Sequence, residues 1–117
     1  MRKTKLNIGC GKVKLPGWMN VDQKPGDPDI IQGDICKGLE LASESVDEIL
    51  LDNVIEHVES IPDAIQEVAR LLKSGGVAWI ITPHFTSLDS WRDPTHRWHL
   101  SCRSFDFLMT KKHSHLE

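Results

Sequence analysis

Residues 6–22, LNIGCGKVKLPGWMNVD, set a glycine-bracketed turn between two short apolar runs and leave only residues 9–18 to travel between them. Parallel strands are ordinarily joined by a crossover of a dozen or more residues, usually a helix. Pro16 and Gly17 interrupt this stretch, so no helix of ordinary length fits between Gly11 and Met19. The chain therefore opens with two strands joined by a loop. Whatever its glycines hold is not held by a long helix behind them.

That geometry weighs against phosphate. A dinucleotide turn uses G-x-G-x-x-G to present a helix N-terminus to the pyrophosphate. Here Gly9 and Gly11 fit, but Lys14 stands at the third glycine position. A P-loop would end Gly-Lys-Ser/Thr, whereas Gly11-Lys12 runs on into Val13. An NAD-type oxidoreductase is disfavoured on the same grounds.

Further along, the segments alternate between strand and loop. Lys5–Gly9, Met19–Asp22, Ile30–Ile35 and a run around Glu48–Leu51 read as strands, with KPGDPD at 24–29 as a loop. SIPDAIQEVARLLKSGG is the one clear helix: Ser60 caps it, Pro62 and Asp63 suit its first turn, and Ile61, Ile65, Val68 and Leu72 repeat at helical spacing. Lys73 suits its last turn, and Gly75 or Gly76 is expected to end it. Val77–Pro83 follows at once as a strand whose continuous apolar run predicts burial on both faces, with Trp79 in the core. After Phe85 little periodicity is visible until RSFDFLM, where Ser104 could cap a short helix. The predicted class is α/β: a Rossmann-like, mostly parallel sheet with flanking helices, its first crossover helix shortened and the final antiparallel strand pair missing. Residues 1–117 are read as one truncated or minimal domain, with a core at 5–85, a closing segment at 86–112 and a tail at 113–117.

Size and composition are compatible with one domain. The chain has 117 residues, 39% apolar and 26% charged, and a formal net charge of −3. The negative balance argues against electrostatic capture of nucleic acid. Cys10, Cys36 and Cys102 are odd in number and form no CxxC pair, which suits a reducing, cytoplasmic setting. No apolar run is long enough for a membrane helix.

Several strand ends carry groups that suit a nucleoside without phosphates. Gly9 and Gly11 let the backbone approach a ligand closely. Asp22 closes the second strand, where a carboxylate can accept both hydroxyls of a ribose, and Asp34 closes the third, where it could accept from an adenine amino group. The plainer alternative is a tight turn with two capping aspartates.

These residues resemble the class I S-adenosylmethionine-dependent methyltransferases. LNIGCG is similar to that family's first-strand glycine motif, WMNVD to its second strand and ribose acid, and GDI at 33–35 to its adenine-side motif. SVDEILLDNVIEHV resembles the fourth strand and following turn, and ARLLKSGGVAWIITP the helix end and fifth strand. The likeness is strongest to a bacterial subgroup with a later DPTH…SF segment, here Asp93–Phe105. The resemblance implies S-adenosylmethionine as cofactor. Asn7, Gly9, Cys10 and Gly11 would line its methionine part and Asp22 its ribose. Asp34 and Ile35 would flank adenine, and Asp52 and Asn53 would lie beside the sulfonium. Glu56 and His57 would stand near the pocket mouth.

The histidines and tryptophans bear on the acceptor. His57, His96 and His99 are the candidate catalytic residues, each able to take a proton near neutral pH, with His84 also considered. Trp91, Arg92, Arg97 and Trp98, with His84, could hold an anionic or aromatic acceptor. His96, His99 and Cys102 stand three apart with His84 upstream, but Pro94 spoils a helix there and structural zinc needs four firmly spaced ligands, so no metal is expected. The expected function is methyl transfer to a small molecule or glycan precursor. The rival reading is a non-catalytic module that binds the cofactor or pairs through an open sheet edge, with another protein or with a second copy as a homodimer.

Overall fold

A computed structural model describes residues 3–101 and 103–105. Five strands form one sheet: β1 Lys5–Ile8, β2 Met19–Asp22, β3 Ile31–Gln32, β4 Val46–Asp52 and β5 Leu72–Ile81. Helix α1 spans Ile61–Leu71 and α2 Leu88–Arg92. The spatial order is β3-β2-β1-β4-β5, and every neighbouring pair runs parallel. Among the described residues no antiparallel pair follows β5. Nor is any helix there long and apolar enough to cross a membrane.

The first connection is a loop, as residues 9–18 require. What a helix would do with its own backbone bonds, two asparagines do instead. The Asn7 amide donates to the Val13 carbonyl at 3.0 Å and to Asn20 Oδ1 at 2.9 Å. Asn20 Oδ1 also accepts from the Leu15 N–H, and its amide donates to the Leu15 and Trp18 carbonyls. Asn7 is buried, so these bonds form where water cannot substitute for them. Lys14 reaches sideways to Asp27 at 2.8 Å and Asp29 at 3.6 Å, tying this loop to the 24–29 loop.

The core lies on one face of the sheet. Leu6, Ile8, Val21, Val46, Ile49 and Leu51 of the three central strands are buried against Ile35, Leu39, Ile55, Ala64, Val68 and Leu71. Ser60 caps α1, its hydroxyl accepting from the Asp63 N–H at 3.3 Å, and a proline opens the helix.

Besides the strand expected at Ile30–Ile35, which is confined to Ile31–Gln32 and leaves Asp34 in the loop beyond it, three expectations need correction. Helix α1 ends at Leu71, before the glycines, because the Leu72 N–H bonds to Val68 O while Leu72 itself turns extended. Gly75, at φ +82°, then serves the irregular start of β5, where the pairing with β4 shifts register between Val46 and Glu48. Second, β5 is a sheet edge among the described residues, and Trp79 is not in the core. Ala78 and Ile80 face the core, while Val77, Trp79 and Ile81 point outward and are 42%, 53% and 51% exposed. A continuous apolar run is buried on both faces only where something covers both, and α1 packs on one. The Trp79 indole N–H instead donates to Glu48 Oε1 at 3.1 Å. Third, the segment after Phe85 contains α2, capped by the Ser87 hydroxyl, which accepts from the Asp89 N–H. The short helix expected near RSFDFLM falls largely outside the described residues.

A buried acid on α1 holds the connection into β4. Glu67 Oε2 accepts from the Leu39 N–H at 2.6 Å and from Arg70 at 2.7 Å, while the Arg70 guanidinium donates to the Leu39 and Leu41 carbonyls. Glu67→Ala strips the Leu39 N–H of its acceptor, and we expect a loss of about 2 kcal/mol in urea unfolding. The Arg70 guanidinium holds the Glu67 carboxyl below its ordinary value of 4.5. A lowered native pKa gives stability that is complete above the ordinary value and fades as pH falls through the native one. The urea midpoint of the wild type should therefore decline more steeply below the ordinary glutamate range than that of Glu67→Gln.

Candidate functional site

The strand order reverses direction between β1 and β4, and in open α/β sheets ligands bind at that switch point, beyond the carboxyl ends of the strands. Ile8 pairs with Leu51, so Gly9 and Asp52 emerge side by side there. Gly9 and Gly11 hold φ of +65° and +55°, a region costly for residues with a Cβ. The two differ in surroundings. A Cβ on Gly9 would lie 2.6 Å from Val54 Cγ2, whereas one on Gly11 would meet nothing within 4 Å. Space above Gly11 is thus open to a ligand, and that above Gly9 is filled by the turn after β4.

Asp22 binds the glycine turn to β2. Its Oδ2 accepts from the Gly11 N–H at 2.9 Å and its Oδ1 from the Lys24 N–H at 2.9 Å. Each oxygen keeps a further lone pair on a half-buried side chain, enough to receive ribose hydroxyls. Cys10 lies between the glycines, buried, its thiol donating to Gly11 O. Burial, aided by the Asp22 charge, pushes that thiol up, so it stays protonated. Asp52 is exposed and accepts from the Asn53 amide at 3.0 Å, and Asn53 sits at φ +56°, a left-handed position asparagine tolerates well.

Other predicted positions are placed differently. The Asn7 amide is engaged by the loop carbonyl and Asn20, so it shapes the turn rather than standing open. Asp34 caps its own loop through the Cys36 N–H at 2.9 Å and borders a cleft of about 370 Å³ with Gln23, Gln32 and Lys37. Ile35 is 3% exposed, a core residue whose side chain does not face that cleft. A larger cleft of about 590 Å³ lies beside β5 at Ile81, Thr82, His84, Leu100 and Phe105. Neither cleft includes the glycine turn.

The histidines fall into two groups. His57 and His96 meet edge to face, centroids 4.6 Å apart, beside the buried Glu56. His57 Nδ1 donates to Thr95 O at 3.2 Å, and His96 Nδ1 to Ser90 O at 2.9 Å. Since a carbonyl can only accept, Nδ1 carries the proton in each neutral ring and Nε2 is the basic atom. His99 belongs elsewhere: its ring stacks on Trp91 at 3.5 Å, and its Nδ1 meets the Ser90 hydroxyl at 2.8 Å. His84 bonds to the Thr86 hydroxyl, and Arg92 pairs with Asp89 on its own helix. The Trp98 indole donates to Val58 O at 2.6 Å, and the Arg97 N–H to Glu56 O, so 97–98 is strapped to the turn after β4. Trp91, His99 and His84 flank one stretch, Arg97 and Trp98 another. Cys102, His113 and His115 lie outside the described residues.

Glu56 was not singled out as a reactive group by sequence, yet it is the centre of this region. It is 2% exposed, accepts from the Thr82 hydroxyl through Oε1, and leaves Oε2 without a hydrogen-bond partner. The only sequence signal was its place beside His57 in the turn after an apolar strand.

A parallel sheet of this order, with a glycine turn and acids at its carboxyl ends, defines a Rossmann-like nucleoside-binding domain. The family described as methyltransferase domain matches residues 17–80, more than half of the chain. The chain belongs to that family, within the class I S-adenosylmethionine-dependent methyltransferases, and the family implies S-adenosylmethionine as its cofactor. Among solved structures it is similar to the YcgJ protein of Bacillus subtilis, at 21% identity and TM-score 0.72, over 92% of this chain and 59% of that one. A SAM-dependent methyltransferase from Archaeoglobus fulgidus matches at 20% identity and TM-score 0.69, over 91% and 58%. These likenesses show the fold, and this chain spans somewhat over half the length of either structure. No curated protein matches at a significant level.

Gly11→Ala should cost about 1 kcal/mol, the strain of a left-handed alanine. Gly9→Ala adds the collision with Val54, and thermal melts should show a clearly larger drop in Tm; equal drops would mean that Val54 yields without cost.

Proposed function

We propose that the chain is the cofactor-binding part of an S-adenosylmethionine-dependent methyltransferase acting on a small-molecule or glycan-precursor acceptor. The observation that carries this reading is the Gly11–Asp22 bond at the mouth of β1 and β2, beside Asp52 at the switch point. It sets an open backbone turn and a carboxylate where the amino acid and ribose ends of one ligand would lie. The bound cofactor would supply an electrophilic methyl group.

The chain's own part is mainly placement. Gly9 and Gly11 bring backbone within reach of the methionine moiety, Asp22 accepts from the ribose, and Asp34 marks the adenine side. Asp52 and Asn53 extend from β4 toward the sulfonium. Segment 86–101 is strapped to the turn after β4 and offers the acceptor side: the Trp91–His99 stack is a flat wall, with Arg92 next in sequence to Trp91 and Arg97 on the neighbouring stretch as cations. His57 and His96 are the candidate bases for a hydroxyl or amine acceptor, the His96 Nε2 being reachable only by a group that enters beside Glu56.

Titration calorimetry with S-adenosylhomocysteine tests the reading. The folded wild type should bind, and Asp22→Ala should weaken binding at least about tenfold, the value of a hydrogen-bonded charge. A folded wild type that binds no S-adenosylhomocysteine would overturn it.

A further inference from the structure

The environment of Glu56 does not balance as it stands. Its Oε2 is fully enclosed and accepts no hydrogen bond, and His96 Nε2 lies 3.9 Å from it. His96 Nδ1 donates to Ser90 O, so in the neutral ring Nε2 carries a lone pair. Two acceptors thus face each other across a gap in which both are nearly buried, with side-chain exposures of 7% and 2%. Such an arrangement is costly unless something positive lies between them. The gap is too long for an N–H···O bond. Two donors that each stand about 2 Å from one ion lie at most about 4 Å apart, so a small approach of the two side chains would let them share one.

A third donor is present. One ring nitrogen of His57 lies within 4.8 Å of both a Glu56 oxygen and a His96 nitrogen. Asp93 Oδ2 lies 3.6 Å from His96 Nε2, while Asp93 Oδ1 is engaged by the Thr95 N–H and hydroxyl. The supporting contacts are those that fix metal ligands elsewhere: His96, whose Nε2 faces Glu56, donates its other N–H to Ser90 O, His57 Nδ1 donates to Thr95 O, and the Glu56 carboxylate is oriented by Thr82. We propose that Glu56, His57 and His96 form a binding site for a divalent transition-metal cation. Two imidazoles with carboxylate oxygen favour zinc, cobalt or iron over magnesium or calcium, which prefer all-oxygen shells. The set differs from the H-x-x-H-x-x-C pattern of the sequence: His99 is stacked beneath Trp91. When the cation is bound, His57 and His96 act as ligands and not as proton acceptors, and an oxygen of an incoming acceptor could complete the shell. The site itself does not depend on methyl transfer.

The test is a titration of the full chain with cobalt(II) chloride, followed by the visible bands of low-symmetry Co2+, in a His113→Ala/His115→Ala background that removes the tail imidazoles. One equivalent should bind saturably and be displaced by zinc chloride. Glu56→Gln, His57→Ala and His96→Ala should each weaken binding at least about tenfold. Circular dichroism checks that each variant is folded. Should the buried Glu56 or His96 variant fail to fold, His57→Ala, whose ring is less enclosed, decides the matter alone. Absence of saturable binding, as expected if a protonated His96 simply pairs with Glu56, overturns the proposal. So does binding that survives His57→Ala unchanged. Both outcomes are independent of whether S-adenosylhomocysteine binds.

Discussion

Asn7 and Asn20 face each other across β1 and β2, and their amide contact at 2.9 Å makes the rest of the site possible. A parallel sheet leaves the chain at one end and must bring it back to the other, and a helix does this while satisfying its own backbone. Residues 9–18 cannot be a helix, so their carbonyls and N–H groups must find partners on the sheet. The two asparagines supply them for Val13, Leu15 and Trp18. Only with the loop folded back in this way do Gly9, Gly11 and Asp22 converge. The same solution recurs farther along, where Glu67 and Arg70 hold residues 39–41.

Much of this architecture is legible in the residue order, and what is not has a common cause. Short apolar runs ending in glycine or aspartate announce parallel strands, and Ser60-Ile61-Pro62-Asp63 announces a helix start, because these signals are local. The asparagine clamp and the Glu67–Arg70 clasp join positions whose relation depends on the finished fold, and no periodicity marks them. Trp79 was misread for a related reason. Its strand looks buried from within, but burial is decided by what covers its outer face, and among the described residues nothing does. Ile35 shows the converse: a position matched to a ligand by family likeness is occupied with the core. The short helix at Leu88–Arg92 has a real signal in Ser87 and Asp89, too brief to stand out among the aromatics around it.

The candidate site divides into two halves joined by one turn. On one side stand the glycine turn and Asp22; on the other the Glu56–His57–His96 group and the Trp91–His99 stack. Between them runs the segment from Asp52 to Val58. Val54 packs against Gly9, Glu56 O accepts from Arg97 and Trp98, and Val58 O accepts from the Trp98 indole. A displacement of this turn would be felt in both halves at once, so the two are mechanically connected through it.

The helix-free first connection also bears on how the chain reaches its fold. Pairing β1 with β2 closes a loop of residues 9–18 only, whereas pairing β1 with β4 joins Lys5 to Glu48. Loop-closure entropy rises with the intervening length, and long-range parallel pairing is intrinsically slow. The N-terminal pair can therefore assemble early in synthesis, before β4 or α1 has been made. Insertion of β4 beside β1 becomes the slow event that completes the central sheet and, with it, the switch point.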